Sequence, residues 1–269
     1  MITVEEPYFS IPQICRSGQC FRLDPVSEDT YILQAADRYL RIGTGPVTIL
    51  YCSEEEYRSF WKNYFDLGVS YGDYLERIDP EDTYLTRAAQ FGKGIRILRQ
   101  DVWEMIITFI LSQQNNIPRI KKMIRELSRV FGEKKETEDG ILYDAFPSPE
   151  RLAAASEDEL RKMKFGYRSR YICGTAAMAA EGKVDLNALA DMEYGKAREE
   201  LMKLPGIGGK VADCICLFAL HHLDAFPVDT HIRSVLDAHY SDGFPFERYR
   251  GCAGVMQQYI FYYDLKGDD

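Results

Sequence analysis

The stretch Leu204-Pro-Gly-Ile-Gly-Gly-Lys210-Val-Ala-Asp sets a lysine directly behind a glycine-rich corner, and nineteen residues further on Val228-Asp229-Thr230-His231 supplies a carboxylate. An apolar helix ends before Leu204 and a second starts near Gly209, so Lys210 falls in the first turn of that second helix. A cation there meets the positive end of the helix dipole, an unfavourable placement for stability. The same field disfavours the ammonium and favours the neutral amine, the form that attacks carbon. Phosphate binding is the other use of a lysine at this place, and position alone leaves both open. Asp229 reads as the N-cap of the following helix, and its place after hairpin, lysine and Pro-Val sets it apart from an ordinary cap. Cys214 lies four residues after Lys210, so both project from one helix face toward one pocket. Glycines let a partner approach the backbone closely, and the first amides of a helix point outward unpaired. The corner holding Gly206, Gly208 and Val211 is therefore a candidate anion site, and DNA phosphate is an anion of suitable geometry.

Those residues need a scaffold, and the chain divides near residue 80. Residues 1–80 are expected to be β-rich: Cys20-Phe-Arg-Leu, Thr30-Tyr-Ile-Leu-Gln, Tyr39-Leu-Arg-Ile and Val47-Thr-Ile-Leu-Tyr are short β-branched or aromatic runs between Gly, Pro and Asp turns. A helix from Glu54 to about Asp66 follows the cap-like pair Ser53 and Glu56. Residues 81–269 read as helical, with helices near 81–91, 101–112, 117–131, 149–154, 157–163, 168–181, 187–190, 194–203, 209–221, 230–238 and 249–263. The fold class expected is α+β, an N-terminal antiparallel sheet domain followed by an all-α domain.

Composition narrows the function classes. A chain of 269 residues, 46% hydrophobic and 28% charged, is ordinary globular material. No apolar run approaches a membrane span. MITVEEPYF holds two acids and no basic run, so a secretory leader is not expected. Seven cysteines scattered singly, apart from Cys214 and Cys216, point to reduced thiols and a cytoplasmic or nucleoid (or nuclear) location. Only Cys252 follows Cys216, which leaves no four-thiolate cluster site. His221-His222 are adjacent and diverge on a helix, so no zinc, metal or other cofactor is expected. The net charge of −9 weighs against nucleic acid unless a local basic face exists. Two stretches supply one: seven cations from Arg119 to Lys135 and five from Arg161 to Arg170, which read equally as solvated helix faces.

Taken together, these segments resemble the helix-hairpin-helix base-excision glycosylases, and within them the 8-oxoguanine DNA glycosylases. The resemblance runs through Ser17-Gly-Gln-Cys-Phe-Arg22, Ile97-Leu-Arg-Gln-Asp101, Asn115-Asn-Ile-Pro-Arg119, Gly166-Tyr-Arg-Ser-Arg-Tyr171, the stretch from Pro205 to Cys216, Pro227-Val-Asp-Thr-His231 and Ala253-Gly-Val-Met-Gln-Gln-Tyr-Ile-Phe261. It implies a partner, double-stranded DNA carrying 8-oxoguanine opposite cytosine, bound by a monomer. Lys210 would then attack C1′ and form a Schiff base that permits β-elimination, and Asp229 would stabilise the sugar. The Gly18 carbonyl would accept N7–H of the oxidised base, a hydrogen absent from guanine. An unpaired buried polar group costs about 1–3 kcal/mol, which discriminates about ten- to a hundredfold. Phe261 and Cys214 would sandwich the base over Phe218, and Gln257 would bond its Watson–Crick edge. Tyr167 would wedge into the stack, Arg119 and Arg168 would meet the orphaned cytosine with Gln114 and Asn115 nearby, and His231 would hold a phosphate. Animal members carry Asn where Gln114 stands and commonly Met where Phe218 stands. A non-catalytic binder of damaged DNA and a glycosylase for another oxidised or ring-opened purine are the alternatives; an alkyl-base glycosylase would have no need of Lys210.

Overall fold

The computed structural model describes residues 1–267. Five short strands, β1 (Ile2–Val4), β2 (Leu23–Ser27), β3 (Thr30–Ala35), β4 (Arg38–Gly43) and β5 (Thr48–Tyr51), form an antiparallel sheet in the order β1-β5-β4-β3-β2. Alternation sets its inner face: Tyr31, Leu33 and Ala35 of β3 are buried with Leu40, Ile42 and Leu50. Helix α1 (Ile11–Arg16), capped by Ser10, packs its Ile11 and Ile14 into the same core. The helix expected from Glu54 forms as α2 (Glu54–Glu56), a π-helical turn (Tyr57–Trp61) and α3 (Lys62–Tyr64). Ser53 and Glu56 close the capping box at its start, and the wide turn seats Trp61, Tyr64 and Phe65 under the sheet.

Helices follow: α4 (Tyr71–Glu76), α5 (Thr83–Gly92), α6 (Val102–Ser112) and α7 (Ile117–Phe131). A small hairpin, β6 (Lys134–Glu136) with β7 (Leu142–Asp144), precedes α8 (Pro149–Ala153), α9 (Glu157–Lys162), α10 (Arg168–Ala180), α11 (Leu186–Ala190) and α12 (Tyr194–Leu201). The last three are α13 (Gly209–Phe218), α14 (Thr230–His239) and α15 (Ala253–Lys266). Caps explain where several start: Asp101, Asn116, Ser148, Ser156, Asp185 and Asp229 each accept a backbone N–H from the first turn. Among the described residues no helix is long and apolar enough to cross a membrane.

The structure differs from the sequence expectation at a few edges. Cys20–Arg22 is not strand; β2 begins at Leu23, because Cys20, Phe21 and Arg22 are all buried where a strand would alternate. The helix expected to reach residue 221 stops at Phe218, and His221 turns the chain at φ +57. The one expected from 249 starts at Ala253, after Gly251 at φ +79. β1, α1, α4 and the β6–β7 hairpin had no counterpart in the periodicity.

Sheet and helices are locked together around Cys20–Leu23. Phe21 joins the helical core while Leu98 joins the sheet core. Arg22, between them, donates to Gln34 Oε1 (2.6 Å), the Ala36 and Asp144 carbonyls, and Glu104 of α6 (3.2 Å). Burial pushes the Glu104 carboxyl up and the Arg22 guanidinium pulls it back.

Candidate active site

The hairpin between α12 and α13 is built around close backbone approaches. Gly206 sits at φ +80, and a Cβ there would lie 2.4 Å from the Tyr171 ring. A Cβ on Gly209 would meet the Arg198 guanidinium at 2.5 Å, which rests against the helix start. That guanidinium is held by Asp213 (2.7 Å), which also accepts from the Tyr194 hydroxyl (2.8 Å). Gly208, the N-cap of α13, has nothing within 4 Å of its would-be Cβ, so its surface is open to a partner. Val211 is buried just inside. Lys210 takes the second position of α13 and is exposed, at the positive end of the helix as its spacing implied.

Five parts of the fold meet at one cavity of about 60 Å³: the turn after α1, helix α6, helix α13, the start of α14 and helix α15. Its walls include Gly18, Lys210, Cys214, Phe218, Asp229, Gln257 and Phe261. Every residue expected at the catalytic centre and base pocket is therefore in one place. Asp229 caps α14 by accepting from Ile232 N–H through Oδ1 (2.9 Å). Burial pushes the Cys214 thiol up to about 11; the Lys210 charge beside it pulls it down and Asp229 pushes it up. Gln257 donates to the Pro227 carbonyl (3.0 Å), while its Oε1 is buried with no partner. A buried amide oxygen left unpaired costs stability and marks a place where a donor is missing.

Three lining residues escaped the sequence reading. Phe109 of α6 stacks on Phe218 at 5.9 Å and meets Phe21 edge-on, which joins the pocket floor to the segment leading into β2. Gln258 donates to the Ser17 carbonyl (2.8 Å) and so fixes the strap that carries Gly18. Gln19 holds the same strap through Ser17, Arg96 and Leu98. Pro227 lines the cavity and accepts from Gln257. Their partners are remote in the chain, and no local spacing announces them.

One wall of the cavity is the Phe261 ring, which lies close on Gly18. Gly18, at φ +78, has the Phe261 ring 2.9 Å from where a Cβ would stand. The Phe261 ring also meets the exposed His231 edge-on at 5.8 Å, and His231 Nδ1 lies 2.7 Å from Asp264.

The residues expected at the orphaned base gather at the α6–α7 elbow. Tyr167 is exposed, and its hydroxyl donates to the Gln113 carbonyl (3.3 Å). Arg168 is buried rather than solvent-facing: its guanidinium donates to the Gln113, Gln114 (3.1 Å) and Phe165 carbonyls and lies over the Tyr167 ring. Gln114 is exposed at φ +46. Asn115 spends its amide on the Leu111 carbonyl, Met123 sulfur and Asn116 N–H. Arg119 is exposed in the first turn of α7. Gln113, unremarked in the sequence, ties elbow to hairpin by donating to the Gly206 carbonyl (2.9 Å).

The chain is similar to known proteins along most of its length. Residues 1–106 match the profile of the 8-oxoguanine DNA glycosylase N-terminal domain, and residues 107–243 that of the HhH-GPD superfamily of base excision DNA repair proteins. A Saccharomyces cerevisiae N-glycosylase/DNA lyase is 36% identical over 200 residues, covering 70% of this chain and 53% of its own, so the chain spans about half the length of that relative. A probable N-glycosylase/DNA lyase of Methanothermobacter thermautotrophicus is 30% identical, over 74% of this chain and 70% of its own. The crystal structure of Clostridium acetobutylicum 8-oxoguanine glycosylase/lyase, with double-stranded DNA bearing cytosine opposite 8-oxoguanine, superposes with a TM-score of 0.91 at 32% identity, covering 100% of this chain and 98% of that one.

Proposed function

The chain belongs to the HhH-GPD base-excision repair superfamily, in the branch that carries the 8-oxoguanine DNA glycosylase N-terminal domain, and from that premise we propose that it is a bifunctional DNA glycosylase and AP lyase acting on 8-oxoguanine. Its DNA partner is a duplex with cytosine opposite the lesion, as in the clostridial complex, and it acts as a monomer. The sheet-bearing residues 1–80 lend Gly18 to a pocket otherwise made by residues 81–269.

The observation that carries this reading is the convergence of an exposed lysine, a capping aspartate and an unpaired buried amide oxygen on one cavity. Neutral Lys210 attacks C1′ of the flipped nucleotide; the C1′–N9 bond breaks and its electrons leave with the base, which takes up a proton. The nitrogen then loses one proton, the C1′–O4′ bond breaks with its electrons and a proton going to O4′, and C1′ is left double-bonded to nitrogen as the protonated Schiff base. Abstraction of a C2′ proton then expels the 3′ phosphate. Asp229, with one oxygen spent on its cap, stands beside the sugar to offset the positive charge that builds there. Gln257 Oε1 accepts from the N–H groups of the base edge, and the Gly18 carbonyl from N7–H. Phe261 must swing off Gly18 before Cys214 and Phe261 can hold the base between them. Gly206, Gly208, Val211 and His231 receive the lesion-strand phosphates. Tyr167 fills the gap, Arg119 reads the orphaned cytosine, and Arg168, Gln114 and Asn115 fix the elbow beside it.

The test is borohydride trapping on an 8-oxoguanine:cytosine duplex, wild type against Lys210→Gln. A covalent adduct with wild type alone is the expected outcome. Absence of both adduct and base release from wild type sinks the enzyme reading and leaves a binder of damaged DNA. Base release without an adduct assigns the attack to water guided by Asp229.

A further inference from the structure

The cations of Arg119–Lys135 and Arg161–Arg170 separate in the folded chain into those held by a partner, four that share one groove, and Arg170, which is exposed on α10 outside that groove. Lys121 and Arg125 hold Asp24, Lys134 holds Asp144 and Lys135 holds Asp37. Arg129 pairs with Glu126, Arg161 with Glu157, and Arg168 is buried on carbonyls. These charges knit helices to the sheet or to their own turns. Among the described residues, Arg119, Lys122, Lys162 and Lys164 have no carboxylate within ion-pair reach, and all four line a single groove of about 500 Å³ between α7 and the α9–α10 turn. Its apolar floor includes Met163 and Phe165, and its one acid, Glu126, already faces Arg129. Lys164 holds φ +65, a left-handed conformation that a residue with a Cβ takes at some cost. In a chain of net charge −9, four unpaired cations converging on one cleft form a local field fitted to a polyanion.

We propose that this groove seats phosphates of the undamaged strand. Helix α7 gives the direction. Ile117 at its start lies against Gly18 of the pocket, Arg119 stands two residues on, and Lys122 follows one turn later, away from the hairpin that takes the lesion strand. A strand whose orphaned base meets Arg119 continues along α7 into the groove. This rests on the assignment of Arg119 given above, and the experiment separates the two.

The variant is Lys122→Ala/Lys162→Ala/Lys164→Ala, with thermal melting as the check on folding. Binding to an 8-oxoguanine:cytosine duplex is measured between about 50 and 200 mM salt, where each phosphate contact contributes about 0.9 to the log–log slope. The expected slope is shallower than wild type by about 2 to 3. In parallel, methylphosphonates replace consecutive phosphates in one strand or the other. Substitution in the undamaged strand should weaken wild type and leave the triple variant unmoved, while substitution in the lesion strand weakens both. An unchanged slope overturns the inference, as does a variant that loses its sensitivity to the lesion strand instead. If wild type releases no base yet the slopes differ as expected, the excision reading fails and the groove assignment stands.

Discussion

At the scale of single residues, the pocket separates positions that serve the fold from positions that oppose it. Gln257 leaves its Oε1 buried and unpaired, so Gln257→Leu removes an unsatisfied acceptor while giving up the bond to Pro227. The two effects nearly cancel, and we expect stability to change by less than about 1 kcal/mol in denaturant titration. Base release should nevertheless slow by about ten- to a hundredfold in single-turnover assays, the share of one buried hydrogen bond. A large stability loss with normal excision would show a structural glutamine. Gly18→Ala acts differently. Its φ of +78 costs a side chain about 1–2 kcal/mol, and the methyl meets Phe261 where the base must enter. The expected result is a lowered melting temperature together with excision reduced at least tenfold; wild-type kinetics would disprove the tight contact. Lys210, Cys214 and Asp229 were legible in the sequence because helix periodicity and a cap relate them locally. Gln258, Phe109 and Gln113 were not, because each acts on a partner that the fold alone brings near, as Gln113 does on Gly206.

Between elements, the decisive joint is the one that holds the strap of Gly18 against α6. Arg22 and Glu104 are both buried there, and each is the other's charge partner. Arg22→Ala strands the Glu104 carboxylate, for which about 3–5 kcal/mol of destabilisation is expected. The double change Arg22→Met/Glu104→Leu should recover much of that in a double-mutant cycle of unfolding free energies. Additive losses would mean that the two charges do not interact. The sequence marked Arg22 only as the end of a matching segment and drew a strand through it. Burial of three consecutive residues, two of them serving different cores, is what no period-2 pattern encodes. Helices were read more closely, since Asp101, Asn116, Ser156 and Asp229 announce their starts by chemistry that acts within one turn. The π-helical turn at Tyr57–Trp61 had no such local signature, its width serving the packing of Trp61 and Phe65.

Across the whole molecule, buried thiols make stability depend on alkaline pH. Burial pushes Cys20 and Cys214 to about 11 and Cys216 to about 12, against 9.0 for the group when unhindered. Between those values the folded chain keeps protons that the unfolded chain has lost. Stability is therefore unaffected by these thiols below about pH 9 and falls as pH rises from there toward 11 and 12. Denaturant midpoints under reducing conditions should decline over that range, and Cys216→Ala should flatten the decline by one proton's worth. A flat profile would show thiols that ionise freely in the fold. The order of a sheet followed by helices was legible from the change in periodicity along the chain. The way the two bodies share Phe21 and Leu98 was not. The ring of Phe261 lying on Gly18 has one more consequence, which concerns the end of the reaction. A free oxidised base offered to the resting protein must find the pocket open, so its affinity is reduced by the open fraction. If the chain excises the base as proposed, the ring's return to Gly18 would reclaim the space the base occupied. The same contact would then help to clear the spent site.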